Sequence, residues 1–140
     1  MEVNYMIPKF RAWDKEADTM HDVTSIWFDR NNEQYKLGHV SFPSQETVDT
    51  IFDNFELMQS TGLKDKNGVE IFEGDIVKVT NHPFQKKEDS AGIEIDGDYL
   101  IGWSDHNLTW LAGDLLLYQL KPYIEVIGNI YENPELLEVP

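Results

Sequence analysis

The chain has no cysteine. That excludes disulfides, thiolate metal ligands and thiol nucleophiles, and it fits a reducing compartment such as a cytoplasm. Long apolar runs are missing too. The longest is "LLLY", Leu115 to Tyr118, against the roughly 18–20 residues that a membrane span requires. The opening "MEVNYMIPKFRAW" lacks the continuous apolar stretch of a signal peptide. These absences predict a soluble cytoplasmic protein that makes no membrane contact.

Positive charge is scarce. Eleven Lys and Arg stand against 26 Asp and Glu, leaving a net charge of −15. Affinity for nucleic acid rests on cations that displace phosphate counterions, so direct binding to DNA or RNA is disfavoured. The acidity has a plain reading, solubility, and a sharper one, attraction to a basic partner or imitation of DNA. Solubility is the simpler, because net charge governs association rather than fold.

What the chain does contain is ample apolar and aromatic material for 140 residues. A domain of that size buries roughly 68–70% of its unfolded surface. The apolar residues alternate over short runs broken by Gly, Asn, Asp and Pro, the period of strands rather than helices. "IPKFRAW" and the return at "MHDV" predict a hairpin, with Trp13 on the charged side of its strand. "SIWF" and "YKLGHVSF" predict two further strands joined by the turn "DRNNEQ".

From Ser44 to Phe55 the apolar residues Val48, Ile51, Phe52 and Phe55 recur at three- and four-residue intervals, with Ser44 placed to cap. This predicts one substantial helix; a loop ending in a strand near Phe55 to Leu57 is the alternative.

"DKNG", Asp65 to Gly68, has the preferred ends of a type I turn and predicts a hairpin between Met58–Leu63 and Val69–Phe72. "EGD", Glu73 to Asp75, predicts a second sharp turn before the strand "IVKVT", with Val77 and Val79 on one face. Asn81 to Gly92 lacks periodicity and predicts an exposed, mobile loop. A hairpin turning at Asp96 and Gly97 should follow, then the short apolar pieces "TWL" and "LLLYQL". The chain should close with the strand "YIEVIGNIY" and one helical turn, "NPELL", capped by Asn133.

Three stretches taken together, "KFRAWDKE", "TGLKDKNGVEIFEGDIVKV" and "EVIGNIYENPELLE", resemble the YopX family of proteins from phages and prophages of low-GC Gram-positive bacteria. Segments 29–50 and 81–123 fit the family pattern least. The resemblance implies an N-terminal α+β part followed by a C-terminal Src-homology-3-like small β-barrel, and it implies no activity. The expected fold is thus mainly β with some α+β character. Its subdomains are residues 1–57 and 58–140, which share a core in one compact unit.

Candidate chemistry is thin. A calcium loop starting at Asp65 fails in register, because its fifth and sixth positions are Val69 and Glu70. An irregular ion site from Asp65, Asn67, Glu70 and Asp75 is conceivable, but turn preferences account for Asp65, Asn67 and Gly68. "GWSDH" puts Ser104, Asp105 and His106 side by side, where neighbours on a strand point to opposite faces, so a polar turn is the better reading. His21, His39, His82 and His106 form no close pair at metal-ligand spacing, and no phosphate or dinucleotide loop occurs. No cofactor is expected.

Of the four tryptophans, Trp13 and Trp110 are the candidates for partner binding, since exposed aromatics are enriched at interfaces. Burial is expected for at least two of the four. The expected function is a non-enzymatic adaptor that binds a host or phage protein, with self-association through free strand edges making a homo-oligomer. The alternatives are a DNA mimic, and a hydrolase or metal enzyme in which several of His21, Asp75, Asp105 and His106 converge.

Overall fold

The computed structural model describes residues 8–29, 34–41, 46–51, 55–83 and 94–137, with side chains over 8–28, 55–83 and 94–137. The chain is mainly antiparallel β and divides into two compact units, Met1–Ser60 and Thr61–Pro140.

The first unit is built from β1 (Phe10–Asp14), β2 (Thr19–Asp29), β3 (Gln34–Ser41), β4 (Glu46–Ile51) and the first part of β5 (Phe55–Lys64), in the order β4-β3-β2-β1-β5. β1 and β2 form the expected hairpin. Its four-residue turn is held by the Asp14 carboxylate, which accepts the Glu16 and Ala17 N–H groups. The segments "MHDV" and "SIWF" are one eleven-residue strand rather than two. The register shift between Val23 and Ser25 leaves Thr24 as an extra residue, a bulge that bends the strand without ending it.

The helix expected over Ser44 to Phe55 is replaced by a strand: Glu46–Ile51 pairs with β3 from Ser41↔Glu46 to Lys36↔Ile51. Four of these six residues are the β-branched Thr47, Val48, Thr50 and Ile51, which lose rotamer freedom in a helix and suit a pleated surface. The helix-like spacing of Val48 and Ile51 was a coincidence of short apolar residues. The first unit therefore has no helix among its described residues, and the α+β expectation for it is corrected to β. The alternative, a strand beginning at Phe55, matches the start of β5. The core of this unit holds Ala12 and Phe55, with Val23, Ile26 and Leu57 packed against them.

β5 crosses the division between the units. Its first part pairs with β1 from Phe10↔Gln59 to Asp14↔Phe55, and its continuation lies beside β6 (Glu70–Phe72) as the expected hairpin. The turn between them closes through Gly68 N–H to the Asp65 carbonyl, 3.0 Å, with Gly68 at φ +84°, a conformation glycine adopts without a Cβ penalty.

The rest of the second unit is a five-stranded sheet in the order β10-β9-β8-β7-β11. Its strands are β7 (Asp75–Val79), β8 (Gly97–Ser104), β9 (Thr109–Ala112), β10 (Leu115–Leu116) and β11 (Ile124–Asn129). The one-turn helix α1 (Leu117–Leu120) and a 3-10 turn, Lys121–Tyr123, lead into β11. A second 3-10 turn, Pro134–Leu137, follows it. Val77 and Val79 are fully buried in one cluster with Ile71, Ile101, Leu117, Leu120 and Ile124, as the alternation of β7 predicts.

β10 and β11 stand at the two ends of that strand order, and neither sheet closes on itself among the described residues. The five described strands of the second unit accordingly form an open antiparallel sheet. The hairpin expected at Asp96 and Gly97 does not form, because residues 94–96 are not a strand. Asp96 instead accepts the N–H groups of Asn81 and His82 with its carboxylate, 3.1 and 3.2 Å. Most of the loop expected over Asn81 to Gly92 lies outside the described residues.

Candidate functional site

Two acids of the central segment, Asp65 and Asp75, are committed to backbone. Asp65 Oδ1 accepts the N–H groups of Asn67 and Val69, at 2.8 and 2.9 Å. Its Oδ2 accepts the Val126 N–H at 2.9 Å, and the neighbouring Lys66 N–H donates to the Ile124 carbonyl at 3.0 Å. Among the described residues β11 is the last strand of its sheet, so its outer N–H and C=O groups have no strand partner there. The β5–β6 turn covers that edge with one carboxylate and one N–H, at the positions a neighbouring strand would use.

Burial pushes the Asp65 carboxyl up, but the N–H groups of Val126, Val69 and Asn67, together with the Lys66 charge, outweigh it. They hold the carboxyl below its ordinary value.

The next turn follows the same logic. Asp75 is buried, and its Oδ2 accepts the Phe72 N–H at 2.8 Å. Gly74 between them donates to the Ile101 carbonyl and accepts from the Ile130 N–H, which ties the turn to the chain on both sides. At the end of β11, Asn129 Oδ1 caps the turn through the N–H groups of Tyr131 and Glu132. Asn133 was expected to cap the last helical turn. Its side-chain oxygen instead reaches back to the Asn129 N–H, 3.2 Å, and it can do so because Gly128 has no side chain. A Cβ on Gly128 would lie 2.5 Å from that oxygen.

Within the second unit, the residues of the hydrolytic alternative are not gathered. Asp75 sits in the buried turn at the start of β7, whereas Asp105 and His106 lie in the exposed turn after β8. The four residues from Ile101, whose carbonyl meets that buried turn, to Asp105 span about 13 Å of extended chain. His21 belongs to the first unit, where its Nε2 meets the Thr19 hydroxyl at 2.7 Å. Asp105 Oδ1 accepts the Trp103 indole N–H, 2.9 Å, and Ser104 Oγ accepts the Asn107 N–H, 3.1 Å, so "SDHN" is the polar turn its sequence suggests. Among the described residues no group of three or more His, Asp or Glu is placed to hold a metal ion.

Among the aromatics the sequence singled out, Trp13 is 9% exposed and Trp110 is half-buried against the core of the second unit. The tryptophans that reach the surface are Trp27 and Trp103, 47% and 46% exposed, with Phe28 and Leu108 more exposed still. Sequence reasoning missed Trp103 as a surface group, although its place beside a polar turn was the signal. Its alternation with Ile101 points it at the core face, but it sits one step beyond where that core ends.

Tyr99 completes the polar set. Its hydroxyl donates to the Ile95 carbonyl at 2.6 Å, and burial, with Asp96 and Glu94 nearby, pushes its pKa up.

Comparison with known proteins places this arrangement. The crystal structure of protein EF1440 from Enterococcus faecalis is similar, with 36% identity over 96% of this chain and 100% of that one, at a TM-score of 0.63. No curated protein matches. The model of the YopX protein family matches residues 9–138 and so runs through 29–50 and 81–123, the segments that resemble the family least when read alone. From β1 to the last 3-10 turn, the chain belongs to the YopX family.

Proposed function

We propose that this protein is a non-enzymatic adaptor of phage or prophage origin that binds a host or phage protein in the bacterial cytoplasm. One contrast carries the reading. The polar side chains of Asp65, Asp75, Asn129 and Asn133 hold backbone in place, while large aromatic and aliphatic side chains stay exposed on each unit. Exposed aromatics of this kind are what interfaces recruit. The short antiparallel strands and the 3-10 turn before β11 support a Src-homology-3-like description of the second unit.

Affinity purification from host cells, with and without phage infection, tests the adaptor reading. A protein that co-purifies reproducibly and in stoichiometric amount is the expected result; none in either condition overturns it. β4, at the end of its strand order with no second strand partner among the described residues, supports self-association through that edge. Light scattering at micromolar concentration should then give a mass above 16.3 kDa, and a monomer mass removes the homo-oligomer.

A DNA-mimic reading draws on the charge of −15. It requires that the captured partner be a basic nucleic-acid-binding protein released steeply by salt.

A further inference from the structure

The β8–β9 hairpin ends in an aromatic surface with a carboxylate fixed at its rim. Trp103 and Trp110 are cross-strand partners, and their rings meet edge to face with centroids 5.2 Å apart. Trp110 is anchored on the core of the second unit. Trp103 leans on it and remains 46% exposed, beside the turn that carries Leu108 at 75% exposure. The indole N–H of Trp103 donates to Asp105 Oδ1 at 2.9 Å. The ring is therefore held by Trp110 on one side and Asp105 on the other before any ligand arrives, which lowers the ordering cost of binding.

The surroundings specify the charge of the occupant. From Glu94 to Leu120, the described chain around this hairpin, there are Asp or Glu at five positions and no Lys or Arg. Among the described residues no cation pairs with Asp105. Such a surface repels phosphates and attracts cations. A guanidinium suits it better than an ammonium: it is planar, stacks on an indole face, is weakly hydrated, and can donate to Asp105 while stacked on Trp103.

We propose that Trp103 and Asp105 form the docking site for an arginine-bearing segment of a partner protein. This rests on the protein-binding reading above and names the chemistry of its partner.

The test uses the full chain and capped glycine-rich peptides that carry two arginines, two lysines, two citrullines or two glutamates. The Trp103 indole N–H resonance is followed by NMR. The arginine peptide should shift that resonance saturably, and the effect should weaken with added salt. The lysine peptide should bind about three- to fivefold more weakly, and the neutral and acidic peptides should not saturate.

Asp105→Asn keeps an acceptor for the indole and removes the charge, and Trp103→Leu removes the stacking face. Each should weaken binding about three- to fivefold, with unchanged circular dichroism. Equal shifts from the arginine and citrulline peptides would overturn the site, as would unchanged arginine binding in Asp105→Asn. Affinity purification with Trp103→Leu separates the two levels. A partner captured equally by the wild type and this variant leaves the adaptor reading standing and removes the site. No partner for the wild type removes both.

Discussion

Asp65 shows how a single side chain can look like a ligand in sequence and act as a clasp in the fold. Replacing it with alanine strands three N–H donors, those of Asn67, Val69 and Val126, and should cost about 2–3 kcal/mol, read from urea denaturation. Its folded pKa is depressed, so its stabilisation is fully present above the unfolded carboxylate value of about 3.9 and is lost as pH falls through the folded value. The gap in urea midpoint between the wild type and Asp65→Ala should therefore be wide near neutrality and shrink progressively below about pH 4. A gap that is constant with pH would mean the carboxylate is not the clasp.

Gly128 is a second test at this scale. Gly128→Ala places a Cβ against the Asn133 oxygen and should destabilise by about 1–3 kcal/mol. Adding Asn133→Ala should recover part of that loss. If the two changes are additive, the close approach is not the cause.

Among the elements, β7 has the strongest claim to order. It lies between β8 and β11, and Ile76, Val77 and Val79 are fully buried. Amide exchange at these three positions should be the slowest in the second unit, well behind Leu115 and Leu116 of the two-residue end strand β10. Comparable rates would contradict the reading of β7 as a buried interior strand of that sheet.

Elements also mark the limit of what was legible in sequence. β7, β11 and the β5–β6 hairpin were readable because alternation and turn residues act locally. β4 was not, since Val48 and Ile51 satisfy a helical spacing as well as a strand, and only pairing with β3 decides between them. The stretch before β8 failed for a related reason. Asp96 and Gly97 form a plausible turn, but Asp96 is committed to the Asn81 and His82 N–H groups, 15 and 14 residues earlier in the chain.

For the whole molecule the dominant quantity is charge. A net charge of −15 at pH 7 repels itself within a compact chain. Raising NaCl from about 10 mM to about 150 mM shortens the screening length from about 30 Å to about 8 Å. The urea midpoint should rise over that range, most of all near neutral pH and least near the isoelectric point of about 4.4. A fall on adding salt would mean that attractive ion pairs outweigh the repulsion, whereas the Lys15–Glu56 pair at 3.1 Å is half exposed and worth little.

By itself the amino-acid sequence determined the strand-rich character, the turns at Asp65–Gly68 and Glu73–Asp75, and the acidity, because each depends on neighbours a few residues apart. Tertiary structure alone decided that Asp65 grips Val126, 61 residues further on. It also decided that Trp13 is covered while Trp103 is open. Those outcomes depend on which strand edge or core rim the chain brings alongside, and periodicity carries no record of a partner that distant.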